Sequence, residues 1–157
     1  MTFGIGLAII GSAVAVIFAG IGSILGVSMT GQAGAGVVSE DPEKFGKILV
    51  LEALPATQGI YGFLAAFLIL QKIGMLGGTV PDLLTVTGWQ FLFAALPIAF
   101  TGLTSGWLQG KVSVAGCGIV AKQPKASGKA IILSAMVETY AVLGLLISIL
   151  FIFGIQI

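Results

Sequence analysis

Ala130-Ile131-Ile132-Leu133-Ser134-Ala135-Met136-Val137-Glu138-Thr139-Tyr140-Ala141-Val142-Leu143-Gly144-Leu145-Leu146 places one carboxylate in the middle of an otherwise uncharged, mostly apolar run. The run is part of a stretch long enough to span a bilayer, which needs about 20 residues as a helix. An ionised carboxylate at that depth costs at least ~2.5 kcal/mol, so a chain that keeps one has a use for it. The question set by Glu138 is what neutralises it: a proton, a metal ion or a cationic side chain.

The rest of the sequence matches this stretch. Of 157 residues, 57% are hydrophobic and 8% charged. A soluble domain carries about 25% charged residues, so the composition is that of an integral membrane protein. A net charge of +1 gives no electrostatic footprint for nucleic acid. The single Cys117 excludes an internal disulfide, and the absence of histidine excludes zinc or haem sites of the usual kind. Cys117 reads as a small packing residue. Met1 to Gly26 lacks a basic region and a clear cleavage site, so it reads as a retained membrane helix. There is no phosphate-binding loop motif and no soluble catalytic domain, so the chain is not expected to be an enzyme by itself.

Polar breaks divide the sequence into four apolar spans, roughly Phe3 to Val38, Phe45 to Ile73, Thr85 to Ala121 and Ser127 to Gly154. Backbone groups in lipid must bond within their own segment, which predicts four helices and an all-α membrane protein. The halves repeat. Shifted by about 82 residues, Phe18, Gly20, Ser23, Gly34, Pro42, Lys47, Thr57 and Gly62 meet Phe100, Gly102, Ser105, Gly116, Pro124, Lys129, Thr139 and Gly144 without a gap. Each half is a helical hairpin, with 1–78 as the first and 79–157 as the second. The first has Ala56 where the second has Glu138. Two spans per copy give both the same orientation, a parallel duplication. Lys44, Lys47, Lys122, Lys125 and Lys129 flank the Pro-containing loops, which puts both loops in the cytoplasm and both termini outside.

Small residues form stripes at helical spacing. Gly11, Ala15, Ala19, Gly22, Gly26, Thr30 and Ala33 mark the first span, and Ala95, Ala99, Gly102, Gly106, Gly110, Ser113 and Cys117 the third. Each stripe lets another helix approach closely. Packing inside one four-helix bundle explains one stripe. Two long stripes and 24 glycines fit better with helices crowded against copies in a ring.

The second span holds Leu54-Pro55-Ala56-Thr57-Gln58-Gly59-Ile60-Tyr61. Positions 54, 57, 58 and 61 share a helical face. Pro55 lacks an amide donor, which frees the Leu51 carbonyl most directly. Taken singly, Thr57 or Gln58 reads as an interhelical hydrogen-bond partner. With Gln109 and Glu138 at matching depth they read as an ion site: one carboxylate and several neutral oxygens, which suits a hard monovalent cation. A proton needs only the carboxylate, and Ca²⁺ or Mg²⁺ would want more negative ligands or retained water. Tyr61 can donate a hydrogen bond to Glu138. Tyr140 points to another face, Trp89 and Trp107 read as interfacial or packing groups, Glu52 reads as reaching toward headgroups, and Lys111 can snorkel or pair with Glu52.

Leu54 to Gly62, then Leu108-Gln109-Gly110-Lys111, then Met136 to Ala141 resemble, in that order, the rotor-ring proteolipids of bacterial V-type ATPases, most of all the sodium-pumping kind. The likeness covers essentially the whole chain. It implies a homo-oligomeric ring beneath a soluble ATPase, with the first and third helices inside and the second and fourth outside. It implies Na⁺, the transported ion and not a cofactor, held by side chains of Glu138, Thr57, Gln58 and Gln109 and by the Leu54 carbonyl, with Tyr61 supporting the carboxylate. It further implies copies of the chain, a stator subunit with an arginine, central-stalk subunits and lipid as partners. The same ring carrying H⁺, and a small four-helix secondary transporter, are the alternatives. Ala56 and Glu52 depart from the family pattern, where a glycine and a neutral polar residue are familiar.

Overall fold

The computed structural model describes residues 2–78 and 82–157. The boundary between the expected hairpins borders residues 79–81 and lies outside the described residues. Five α-helices form four membrane-length rods: α1 (Phe3–Glu40), α2 (Phe45–Ala53) continued by α3 (Thr57–Lys72), α4 (Thr85–Lys122) and α5 (Ser127–Gly154). The second rod is helical as expected, with a change of helix type at its proline. A 3₁₀ turn over Leu54–Ala56 joins α2 to α3, because Pro55 cannot donate to the α-helical ladder.

α1 packs chiefly on α4, α3 covers α1, and α5 covers α4. α3 also touches α4 and α5. The two small-residue stripes face each other. A Cβ on Gly22 would lie 2.5 Å from the Gly102 carbonyl oxygen, and one on Gly106 would lie 2.7 Å from the Gly22 carbonyl carbon. Gly26 abuts both Gly106 and Gly110. Only glycine allows so close an approach. The stripes therefore pack against each other within one chain, the contact expected of a single four-helix bundle; this leaves the expected crowding against copies in a ring untouched. Their partners lie about 80 to 84 residues apart (4 with 84 and 88, 22 with 102 and 106), straddling the repeat offset, so equivalent residues of the two hairpins sit at equal depth.

Polar side chains lock this frame where lipid offers no alternative partner. Thr30 Oγ1 donates to the Gly26 carbonyl at 2.9 Å, with the Gly110 carbonyl at 3.4 Å, and Ser113 and Ser134 share a 2.7 Å bond between α4 and α5. The Ile98 amide, next to Pro97 in α4, donates to Ser148 Oγ of α5 at 3.1 Å. Lys44 Nζ donates to the Ala121 carbonyl at the end of α4 (3.0 Å), tying the two loops together. α3 ends in a paired-bond cap: Met75 N–H reaches the Leu70 carbonyl and Gly74 N–H the Gln71 carbonyl, with Gly74 at φ 79°. Cys117 is buried, as expected of a packing residue.

Candidate functional site

The site begins at the 3₁₀ turn. Tightening the backbone over Leu54–Ala56 brings the Leu54 carbonyl beneath Thr57, whose backbone N–H and hydroxyl both reach it, the hydroxyl at 2.9 Å. Gln58 Oε1 lies 3.4 Å from the same hydroxyl. The proline rule pointed to Leu51. The structure adds that the Leu54 carbonyl is the one held among side-chain oxygens.

Gln58 and Gln109 are both fully buried. Gln58 Nε2 donates to Gln109 Oε1 (2.5 Å) and to Ser105 Oγ (3.1 Å). The clasp joins α3 to α4. Gln109 Nε2 has no acceptor among the described residues. A buried amide donor left unpaired costs about 1–3 kcal/mol, whereas the Gln109 oxygen is satisfied by Gln58. Ser105 then donates to the Val137 carbonyl at 3.0 Å, one residue before the carboxylate. Glu138 is half-buried and accepts from Tyr61 Oη at 2.5 Å. Thus the structure joins Leu54, Thr57, Gln58, Gln109, Tyr61 and Glu138 in one region where α3, α4 and α5 meet.

Two serines escaped the sequence reading as functional residues. Ser105 links the glutamine clasp to the Glu138 segment. Ser23 of α1 accepts the Gly59 N–H (2.7 Å) and donates to the Ala56 carbonyl (3.3 Å), so it fixes the turn that carries Thr57 and Gln58. The signal was present, since Ser23 and Ser105 are identical positions of the repeat. Their depth next to the site becomes visible only once the helices are packed.

Other expectations divide. Tyr140 is exposed and points away from the site. Trp89 stacks on Phe93, with ring centroids 5.7 Å apart. The Glu52–Lys111 pair does not form within the chain. Lys111 Nζ lies 4.3 Å over the Trp107 ring, and the Glu52 carboxylate lies against Gly31 of α1. The two acquire different neighbours because α2 and α4 present them on different flanks. Among the described residues no cluster of three or more acidic or thiol groups could hold a multivalent metal. One carboxylate among neutral oxygens suits a monovalent cation or a proton.

Comparison with known proteins gives the same picture. The family model for the ATP synthase C subunit matches twice, at residues 10–69 and 92–151, with both ends displaced by 82 residues. The chain is 53% identical to the V-type sodium ATPase subunit K of Enterococcus hirae over 94% of this chain and 90% of that one. It is 44% identical to the A-type ATP synthase subunit K of Methanocaldococcus jannaschii over 95% of this chain and 63% of that one. It is 26% identical to the V-type proton ATPase 16 kDa proteolipid of Nephrops norvegicus over 90% and 86%. With two tandem hairpins and a half-buried carboxylate in the second, the chain belongs to the ATP synthase C-subunit family, the ring-forming membrane proteolipids of ion-translocating ATPases.

Proposed function

We propose that this chain is the ion-carrying rotor subunit of a V-type ATPase, and that its cargo is Na⁺ bound one per chain at Glu138. The observation that carries the sodium reading is the surplus of oxygens. A proton carrier needs Glu138 and little else. Here the Leu54 carbonyl, Thr57 Oγ1, Gln58 Oε1 and Gln109 Oε1 gather in the same region, linked by hydrogen bonds of 2.5 to 3.4 Å. Neutral oxygens suit a hard cation, and one carboxylate balances one positive charge. Tyr61 holds one carboxylate oxygen and so sets the direction in which Glu138 faces the cation. Bound ion cancels the charge of Glu138, and the loaded site can then face lipid as the ring turns. An empty site remains costly in lipid until it reloads or meets a cation, the role expected of an arginine on the stator. Hydrolysis on other subunits drives the turning, passed on through the central stalk. The Pro-containing loops then lie in the cytoplasm and the termini outside, with hairpins 1–78 and 79–157.

The rival is the same ring carrying H⁺, the ion in the name of the more distant relative from Nephrops norvegicus. Carbodiimide modification of Glu138 in the assembled ATPase separates them. Sodium should slow labelling at a pH where labelling occurs. Equal labelling rates with and without Na⁺ would leave the proton ring standing.

A further inference from the structure

Glu52 and Lys111 lie within membrane spans and are not paired within the chain; the one ion pair among the described residues is Lys44 with Asp41. A charge kept at such depth has a partner as a rule. The packing shows where each is presented. On α1, Gly22 and Gly26 face α4, and Gly31, which the Glu52 carboxylate touches, follows Gly26 by five residues. Five residues turn the helix by about 140°. Glu52 therefore lies on the flank of α1 and α2 that points away from α4. On α4, Gly106 faces α1, and Lys111 again follows five residues later, exposed, about 140° from the contact. Lys111 therefore leaves the molecule on the flank that points away from α1.

Their depths agree. Position 31 of the first repeat corresponds to position 113 of the second, so Lys111 lies about 3 Å from the level of Gly31, at 1.5 Å per residue. A lysine side chain covers that easily. In a ring of identically oriented copies, the α4 flank of one chain meets the α1 flank of the next, a heterologous contact that closes on itself. The α4–α5 flank also carries a groove of about 580 Å³ lined by Ala115, Ile119, Leu133, Lys122 and Lys129. Charge continues in the same sense at the loops. The first holds Glu40, Asp41 and Glu43 against one lysine, Lys44, which pairs with Asp41, and the second holds Lys122 and Lys125 with no acid.

From this we infer that Lys111 of each copy pairs with Glu52 of its neighbour, making the ring contact charge-complementary: acidic first-repeat edge against basic second-repeat edge. The pair neutralises both charges and fixes which edge meets which. Trp107 steadies the Lys111 ammonium from its own chain. The inference rests on the ring named above.

The test uses the intact ATPase with Cys117→Ser, Glu52→Cys and Lys111→Cys in one chain. A short bifunctional thiol reagent should give a ladder of covalent dimers, trimers and higher species on a denaturing gel, absent from either single-cysteine variant. A ring of native mass that yields only monomer, or only an internal crosslink, overturns the pairing and leaves the ring reading intact. Absence of any ring in the unaltered protein overturns the ring itself. If the cysteine variant does not assemble, charge exchange decides. Glu52→Lys should lower the temperature at which the ring dissociates, and adding Lys111→Glu should restore it. Failure of the exchange to restore it contradicts the pairing.

Discussion

The two hairpins share a frame and differ in what they hang on it. In the second, Ser105 bonds the Val137 carbonyl, beside Glu138. In the first, the equivalent Ser23 bonds the carbonyl of Ala56, the residue in the place of Glu138. Thr139 donates to the Met136 carbonyl at 2.8 Å just as Thr57 donates to Leu54 at 2.9 Å. The side-chain anchors of the site were thus duplicated, whereas the 3₁₀ turn at Pro55 belongs to the first repeat alone, α5 running unbroken past Val137. Its chemistry was divided. The carboxylate and Gln109 lie on the second repeat, where the first has Ala56 and Val27. Thr57, Gln58 and Tyr61 lie on the first, where the second has Thr139, Tyr140 and Leu143. Neither hairpin alone carries the full set of groups proposed to hold the ion, and the proposal therefore has one site per chain instead of two.

That division can be broken at its seam. Gly106→Ala would put a methyl group 2.7 Å from the Gly22 carbonyl carbon and 2.9 Å from Ser23 N, both backbone. Overpacking of this kind costs about 1–3 kcal/mol or more, and here it pushes the two repeats apart. The expected result is loss of assembled protein from the membrane. Gly77→Ala, in the exposed turn after α3 with no atom near the added methyl group, should assemble normally. Equal assembly of both variants would mean the seam does not hold the repeats in register.

Within the site the next largest effect belongs to Gln109→Leu. It removes an oxygen and breaks the clasp with Gln58. Loss of one bond to a charged group, about 1.5–3 kcal/mol, should weaken Na⁺ binding by roughly 10- to 100-fold. Proton binding at Glu138, read from the pH dependence of carbodiimide labelling without sodium, should move far less. A common shift in both would mean that Gln109 supports the fold and not the ion.

A finer difference separates the matched serines. Ser105→Ala leaves the Val137 carbonyl without its hydroxyl partner and removes one of the two acceptors of Gln58 Nε2, so Na⁺ affinity should fall by several-fold, about 1 kcal/mol. Ser23→Ala disturbs the backbone around Ala56 and Gly59 without touching the clasp, and its effect should fall mainly on thermal stability. Isotope binding and melting of the purified ring check both. Identical profiles would erase the functional difference between the repeats.

Much of this was legible in the chain. Composition and span length gave four helices, the offset gave the repeat, and Glu138, Gln109 and the Leu54–Tyr61 stretch pointed to the candidate site, because deep polar residues stand out in apolar runs. What could not be read was contact. Gly22 and Gly106 announce close packing but not which helix arrives, and the stripes found each other inside one chain. Ser105 looked like any small helical residue, since its value lies in reaching Val137 across to another helix. Glu52 and Lys111 suggested a pair, and only the packed helices showed that they leave on opposite flanks.

Everything turns on one cation per chain, held between the hairpins. Equilibrium binding of radioactive sodium to the purified ring measures it. One Na⁺ for each chain is expected, abolished by Glu138→Gln and unchanged by Ala56→Gly. No saturable sodium at any pH, two ions per chain, or full binding in Glu138→Gln would refute it.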